Sequence, residues 1–560
     1  MLITLDRSSG IPLYRQITQQ LEQLIASGAL PSGHRLPPER RLAETLGVNR
    51  TTILAAYRDL KANGFAAAHV GQGTVVTPPT AGDPPATPSG AASVAGVSLI
   101  HPGIGAPARE TGIGAPSWTD PAGVSGPTSL PAAFGFRTAP ADPDDGSRWK
   151  PLFSRESGRT QDTLTRDILA LAGKPGVISF AAGIPIPDLD PLPELKAALV
   201  ELIDRNGYAP LRHTPTEGLP QLRESLARYL PVRGIHAHPA DLLILSGSQQ
   251  GLDLLARLLI DPGDTVLVEE PTFFCARQLF EGRGAMVAGV PCDADGIRLD
   301  RLEAWLVRVR PKFLYVMPTF QNPTGRTMSL ERRKGLLALA RRYGLLIVED
   351  DAYSGLRYEG LELPPLKALD KGDTVLYLGS FSKMLFMGLR IGWLHAPRAI
   401  LRQVAIHRQL SDIHAASLSQ WLVDACLRNG LLERHRQHAV AQSRIRRDCM
   451  LAAMEHHLAD IPGIRWNHPE GGLYIWLTLP DDVPPQRVAA CANRLGVAYV
   501  PGQVSTIDGS SARSMRLNFT FPSPDRIEEG IRLLGQAIRE AGAAAEPAFH
   551  WNLESPLPIL

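Results

Sequence analysis

The period of apolar and polar positions changes twice along the 560-residue chain. In PLYRQITQQLEQLIASGAL, Leu13, Ile17, Leu21, Leu24 and Ile25 recur every three or four positions, which predicts a helix with one buried face. PPERRLAETLG predicts a second helix, Gly47 a sharp turn, and NRTTILAAYRDLKANG a third helix with Asn49 placed to cap it. FAAAHVGQGTVV reads as two short strands around a glycine-bearing wing. Between 78 and 147 no period survives. That stretch holds 13 Pro, 11 Gly and no Lys in 70 positions, repeats GIGAP at 103–107 and 112–116, and reads as a flexible linker. From 148 to about 542, apolar runs (LLILS, TVLVEE, FLYVMP, LLIVEDD, TVLYLGS) alternate with amphipathic helical stretches. Alternation at that spacing predicts a mostly parallel sheet covered by helices. The expected organisation is a small α+β domain at 10–77, a linker at 78–147, a large α/β domain at 148–542 and an unassigned tail at 543–560.

Composition narrows the function classes. Apolar residues at 44% and charged residues at 20% exclude whole-chain disorder, collagen and a membrane bundle. A net charge of +2 means that any nucleic-acid contact is local. The first domain is the local exception, with seven Arg or Lys against four Asp or Glu across 10–77. The five cysteines form no CxxC and have no accompanying His spacing, which argues against a disulfide framework or a metal site. No basic-then-apolar leader opens the chain and no apolar run approaches the roughly 18 residues of a membrane span, so the expected setting is cytoplasmic.

Arg50 and Thr51 fall on the first turn of the third helix, where a recognition helix meets base edges and phosphates. From spacing alone, a small helical dimerisation module with a basic face reads equally well. The ordered string GALPSGHRLPPERRLAETLGVNRTTILAAYRDLKANGF…GQGTVV, however, resembles the winged helix-turn-helix of the GntR family over about 65 residues. The resemblance implies double-stranded operator DNA as partner, with contacts from Arg40, Asn49, Arg50, Thr51 and His69 and with Gly71 and Gly73 shaping the wing. Leu54 and His69 stand where relatives carry Arg, which implies a shallower salt dependence of DNA binding.

The larger domain holds the groups that pyridoxal 5'-phosphate chemistry needs: a lysine, an acid for the ring nitrogen and an anion cradle. SFSKMLFMGLRIGW supplies Lys383 with Ser380, Ser382 and Arg390 nearby, and VEDDAYSGLRY places Asp350 at a strand end with Tyr353 three residues on. LSGSQQGLDLLARLL is a strand, a Gly-Ser turn and a helix N-terminus, an arrangement that binds anions. Singly, each has a plainer reading: a chance S-x-S-K, a metal ligand or helix cap, an ordinary turn. Together and in order, with PTFQNPTG and PEGGLYIWLTLP, they resemble the fold-type I aminotransferases, closest to the 2-aminoadipate/kynurenine branch.

That resemblance implies Lys383 as the Schiff-base lysine and Asp350 as partner of the ring nitrogen, with Asn322 and Tyr353 at the ring 3-oxygen. It implies Ser248, Gln249, Ser380, Ser382 and Arg390 at the phosphate. Phe273 stacks on the ring or is a core residue, and Arg516 grips a substrate α-carboxylate beside the backbone of Gly183. His213 stands where relatives place a tyrosine that reaches the neighbouring subunit's phosphate, with Tyr208 as a possible substitute. The two halves in one chain resemble the MocR/GabR-type regulators. This implies a homodimeric regulator that senses pyridoxal phosphate, an amino acid, or both. Two alternatives stand beside it: a working aminotransferase that carries a DNA-binding head, and a body that only dimerises the head.

Overall fold

The computed structural model describes residues 5, 13–27, 30–63, 65–69, 73–77, 149, 152–159, 174–187, 189 and 191–543. The chain divides into two compact units, Met1–Gly126 and Pro127–Leu560. The expected linker lies outside the described residues, and so does the tail beyond Ala543, where the last helix ends.

In the head, α1 (Leu13–Ala26), α2 (Glu39–Leu46) and α3 (Arg50–Ala62) are followed by an antiparallel pair, β1 (Ala66–His69) and β2 (Gly73–Val76). The helical period is visible in what each helix buries. α1 contributes Ile17, Leu21 and Ile25 to the core, and α3 contributes Ile53, Ala56, Tyr57 and Leu60. Tyr57 keeps its hydroxyl satisfied by donating to the Pro37 carbonyl at 2.7 Å. Gly47 turns the chain between α2 and α3 at φ 60°, a conformation that favours glycine.

The body begins with a two-residue strand, β3 (Ile178–Ser179). Its main sheet then collects β4 (Leu242–Leu245), β5 (Thr265–Glu270), β6 (Met286–Asp293), β7 (Gly296–Ile297), β8 (Leu314–Val316), β9 (Ile347–Asp351), β10 (Val375–Ser380) and β11 (Gly392–His395). Their spatial order is β4-β11-β10-β9-β8-β5-β6-β7, with β10, β9, β8, β5 and β6 mutually parallel and β11 antiparallel to both its neighbours. Helices cover both faces, so the strands carry apolar side chains on both sides rather than on one alternate set of positions. The two-residue period still sorts the side chains. Leu243, Leu245, Val266, Val268, Leu376 and Leu378 enter one core, while Ile244, Tyr377, Leu267 and Val375 enter cores on the other face.

A second sheet runs β12 (Arg465–Trp466), β13 (Tyr474–Thr478), β16 (Ser514–Asn518) and β15 (Val500–Pro501). The remaining strand, β14 (Val497–Ala498), pairs with β3. The helix Leu431–Leu458 packs against the final helix, Pro524–Ala543. No helix among the described residues is long and apolar enough to cross a membrane. The alternation of strand and helix seen in the sequence is therefore the observed architecture: a mostly parallel central sheet in an α/β body, joined in one chain to an α+β winged head.

Candidate functional site

Parallel strands of such a sheet place their carboxyl ends along one edge, where the following loops can converge. A cavity of about 230 Å³ lies there, lined by Gly183, Ser248, Gln249, Phe273, Asn322, Asp350, Tyr353, Ser380, Ser382, Lys383, Arg390 and Arg516. The twelve body residues named for the lysine, ring, phosphate and carboxylate contacts thus line one cavity, whereas His213 and Tyr208 do not. Phe273 does so while also packing edge-on against Phe274, with ring centroids 5.6 Å apart, so its two readings are compatible.

The run Glu349-Asp350-Asp351 shows how one strand separates structure from chemistry. Glu349 accepts hydrogen bonds from the backbone of Leu366 and Lys367, and Asp351 accepts from Tyr377 and pairs with Arg233 at 3.4 Å. Asp350 points to the opposite face, as the strand period requires. Its Oδ2 accepts from the Tyr315 hydroxyl at 3.1 Å, while its Oδ1 is buried and has no partner. Burial pushes the Asp350 carboxyl up to about 7 against the Tyr315 hydrogen bond, and the charge of Asp351 pushes the same way.

Lys383 follows the end of β10, and its Nζ donates to the Gly183 carbonyl at 2.5 Å. Enclosure in the cavity, and after it the positive charges of Arg390 and Arg516, lower its ammonium to about 7. Gly183 therefore offers the site a carbonyl acceptor. At the far end, Arg390 adopts a left-handed backbone conformation (φ 51°), uncommon for a residue with a side chain. Its guanidinium donates to Ser382 Oγ at 3.2 Å and to the Ser246 carbonyl at 3.4 Å. Gly247 caps the helix Ser248–Leu259 at φ 91°, and a Cβ there would stand 2.6 Å from Arg390 Nη2. Glycine thus lets the guanidinium, the serines and a helix N-terminus that no side chain caps share one space.

Arg516 and Tyr474 were brought together by register. Trp476 pairs with Arg516 and Tyr474 with Asn518 across β13 and β16, so Arg516 and Tyr474 are diagonal neighbours on one face. The guanidinium lies 4.4 Å from the Tyr474 ring centroid and donates to Asn322 Oδ1 at 2.9 Å and to the Ala181 carbonyl at 2.8 Å. Its Nε is buried without a partner. Asn322 donates in turn to the Tyr353 hydroxyl at 3.3 Å, which lies 3.2 Å from the Tyr474 hydroxyl. Tyr474 and Tyr315 were not singled out from the sequence. Tyr474 sits inside PEGGLYIWLTLP, read only as a signature, and Tyr315 is a hydroxyl in the apolar run FLYVMP, itself a sign of a buried partner. Tyr208 and His213 are exposed and do not line this cavity; the His213 ring meets that of His414 edge-on at 4.4 Å.

In the head, Arg40 lies in the first turn of α2, Asn49 is exposed just before α3, and Arg50 and Thr51 open α3. Leu54 is exposed on the same helix, and His69 ends β1. The side chains of Arg40, Arg50, Thr51 and His69, and all of Gly71, lie outside the described residues.

Fold and site together define a winged-helix regulator head fused to a fold-type I aminotransferase-like body. Residues 175–534 match the aminotransferase class I and II family, and residues 13–76 match the gntR family of bacterial regulatory proteins. The chain belongs to the aminotransferase class I and II family and has the MocR/GabR-type arrangement. A solved alpha-aminoadipate aminotransferase from Thermus thermophilus, complexed with N-(5'-phosphopyridoxyl)-L-leucine, is 34% identical, with TM-score 0.66, and is matched over 70% of this chain and 98% of its own. Relatives that span both halves are named as regulators. YisV of Bacillus subtilis, named as an uncharacterized HTH-type transcriptional regulator, is 28% identical over 95% of this chain and 97% of its own. MocR of Rhizobium meliloti, described as a probable rhizopine catabolism regulatory protein, is 28% identical over 96% of each chain.

Proposed function

We propose that the chain is a homodimeric DNA-binding transcriptional regulator whose body holds pyridoxal 5'-phosphate and reads an amino acid. The observation that carries this reading is the convergence of Lys383, Asp350, Arg390 and Arg516 on one cavity in a chain whose relatives over both halves are named as regulators. The residues fit the cofactor. The partnerless Oδ1 of Asp350 is an acceptor awaiting a ring N–H, and Arg390 with Ser248, Gln249, Ser380 and Ser382 is a donor set for a phosphate dianion. When bound, the cofactor supplies an aldehyde for a lysine and a ring that draws electrons from an amino acid's α-carbon.

The protein's part is to hold and orient. Lys383, with its ammonium lowered to about 7, offers a neutral amine near neutral pH. Asn322 and Tyr353 would fix the ring 3-oxygen, Phe273 would lie against the ring, and Arg516 would take the α-carboxylate. In the head, Arg40, Asn49, Arg50, Thr51 and His69 would meet the operator while Gly71 shapes the wing. The domains would be those expected at 10–77 and 148–542, joined by 78–147. A ligand moves DNA affinity only by binding two conformations of the body unequally. The test is the affinity of the full-length protein for DNA flanking its own gene, with and without pyridoxal phosphate and a panel of amino acids. The expected shift is about 5- to 150-fold; an unchanged affinity and footprint would overturn the coupling.

One observation favours a second reading, a turning-over aminotransferase. Lys383 is poised near neutrality and Arg516 is in place, so the groups for proton movement and carboxylate capture are both present. Conversion of the bound cofactor from its aldehyde to its amine form, followed by turnover on a keto acid, would support it.

Tyr474 acts as a positioning residue in either case, through Arg516 and Tyr353. Tyr474→Leu should weaken amino-acid binding about tenfold, ~1.4 kcal/mol, by freeing the guanidinium plane. Tyr474→Phe keeps the ring and should cost only about two- to threefold, a few tenths of a kcal/mol. Cofactor affinity, followed by absorbance, should barely move in both; a parallel loss would mean that Tyr474 merely supports the fold.

A further inference from the structure

We infer that Glu270 is a positioning residue for the amino acid: with Thr506 and Ile507 it forms a clamp that holds the Arg516 side of the cavity against the side that carries Phe273. The inference rests on the pyridoxal-phosphate reading of the cavity, in which Arg516 takes the α-carboxylate and Phe273 lies against the ring. Glu270 ends β5, three residues before Phe273, and is buried without lining the cavity itself. Both its oxygens are taken by a loop of the other sheet. Oε1 accepts from the Thr506 hydroxyl and Oε2 from the Ile507 N–H at 2.8 Å. Two further bonds flank these. The Thr272 N–H donates to the Ser505 carbonyl at 2.8 Å, and Arg277, on the helix Phe274–Gly282, donates to the Thr506 carbonyl at 2.6 Å. Ser505, Thr506 and Ile507 are thus all tied to the stretch 270–277, which carries Phe273 and Phe274 into the cavity. Space is kept for the carboxylate by Gly289 of β6, where a Cβ would stand 2.5 Å from Oε2. Glycine, which weakens a strand interior, here admits a close neighbour.

The clamped loop belongs to the strands that carry Arg516. It follows β15 directly, and across β15 and β16 Val500 pairs with Arg516 and Pro501 with Met515. The loop also closes on itself, the Ser510 N–H donating to Asp508 Oδ1 at 2.8 Å and the Ser514 N–H to the Ser511 carbonyl at 3.0 Å. Loop and strand pair therefore form one piece, and Glu270 fastens that piece to β5. A carboxylate suits the task because its two oxygens accept both donors at once. Removing it leaves a buried hydroxyl and a partly buried N–H without an acceptor, which costs more than the bonds themselves contribute. Asp350, Ser380 and Lys383 belong to β9, β10 and the turn after it, on the main-sheet side of the clamp. Opening the clamp should therefore spare the cofactor and disturb the grip of Arg516 on the amino acid.

The test uses the full-length protein loaded with pyridoxal phosphate. Gel filtration reads cofactor retention, and the visible absorbance of the bound cofactor reads titrations with L-leucine and L-glutamate. Glu270→Leu should weaken amino-acid binding about tenfold and leave cofactor affinity within about twofold of the parent. Glu270→Gln, whose amide can accept from the Ile507 N–H and donate to Thr506 Oγ1, should bring amino-acid binding back to within about threefold. Thr506→Val, a milder change that keeps the backbone bonds, should cost about threefold alone and nothing more when added to Glu270→Leu. In the cofactor-free protein, hydrogen exchange at the amides of 505–507 should quicken in Glu270→Leu while that of β5 stays slow. Parallel loss of cofactor and amino acid in Glu270→Leu, or unchanged amino-acid affinity, overturns the clamp and leaves the cofactor reading intact. Failure of the unaltered protein to retain pyridoxal phosphate, or to answer either amino acid, overturns the reading of the cavity and this inference with it.

Discussion

Replacing Lys383 with alanine should strip the body of firmly held pyridoxal phosphate and abolish its response to amino acids, while the head still binds DNA. The amine that meets an aldehyde must be unprotonated. A lysine at its ordinary value near 10.4 is only ~0.1% neutral at pH 7.4. Enclosure and the neighbouring Arg390 and Arg516 bring Lys383 to about 7, so a large fraction of it is neutral at that pH. Losing the attachment should weaken cofactor retention roughly a hundredfold or more, ~2.7 kcal/mol. Gel filtration followed by absorbance reads the retention, and the operator titration reads the response. In the unaltered protein, the rate of cofactor capture should rise with pH through about 7 rather than through the ordinary lysine range. An alanine variant that keeps both cofactor and response would show that Lys383 is not the attachment point.

The second large effect has the opposite sign for stability and for function. Asp350→Asn should stabilise the cofactor-free body at pH 8, leave it nearly unchanged at pH 4, and weaken cofactor binding. The folded state raises the Asp350 carboxyl from 3.8 to about 7, so between those values it holds a proton that the unfolded chain has released. Stability contributed by this group therefore falls as pH rises from about 4 to 7, and the cost is fully present above 7. Asparagine carries no such charge, and its advantage should reach ~2–4 kcal/mol at pH 8, from the 1.36 kcal/mol that accompanies each pKa unit. Glu269 and Glu349, which burial also pushes up to about 7, titrate in both proteins and cancel in the difference. Denaturant melts at the two pH values measure it; equal midpoints for variant and parent at pH 8 would refute the claim that Asp350 is an uncompensated charge. A gain in stability paired with a loss of binding is the signature of a group kept for its ligand.

Much of this was legible in the chain. Short apolar runs such as LLIL and VLYL, bounded by turn residues, fit strands buried on both faces, and their alternation with amphipathic helices defines the layered body. Asp350, Ser380 and Ser248 were readable as site residues because each falls at a strand end followed by a turn or a helix start. Which carboxylate of Asp350 and Asp351 faces the cavity was harder. The period separates the two faces but does not say which one is open, and only Tyr377 and Arg233 reveal Asp351 as structural. The stacking of Arg516 on Tyr474 depends on the register between β13 and β16, two strands separated in sequence by more than one intervening helix and loop. Neither strand alone encodes that register. The left-handed turn at Arg390 was invisible because it is a backbone conformation that arginine does not itself favour.

The cavity's walls come from stretches of chain as far apart as Gly183 and Arg516. Loosening any of the stretches that line it would therefore open the pocket, and anything bound there fastens those stretches together. At a free cofactor concentration one hundred times its dissociation constant, such a fastener adds ~2.7 kcal/mol against unfolding. Proteases that sample opened molecules would then clear the empty protein about a hundredfold more readily than the loaded one. Vitamin supply would set how many copies of this regulator persist in a cell, in addition to what each copy does on DNA.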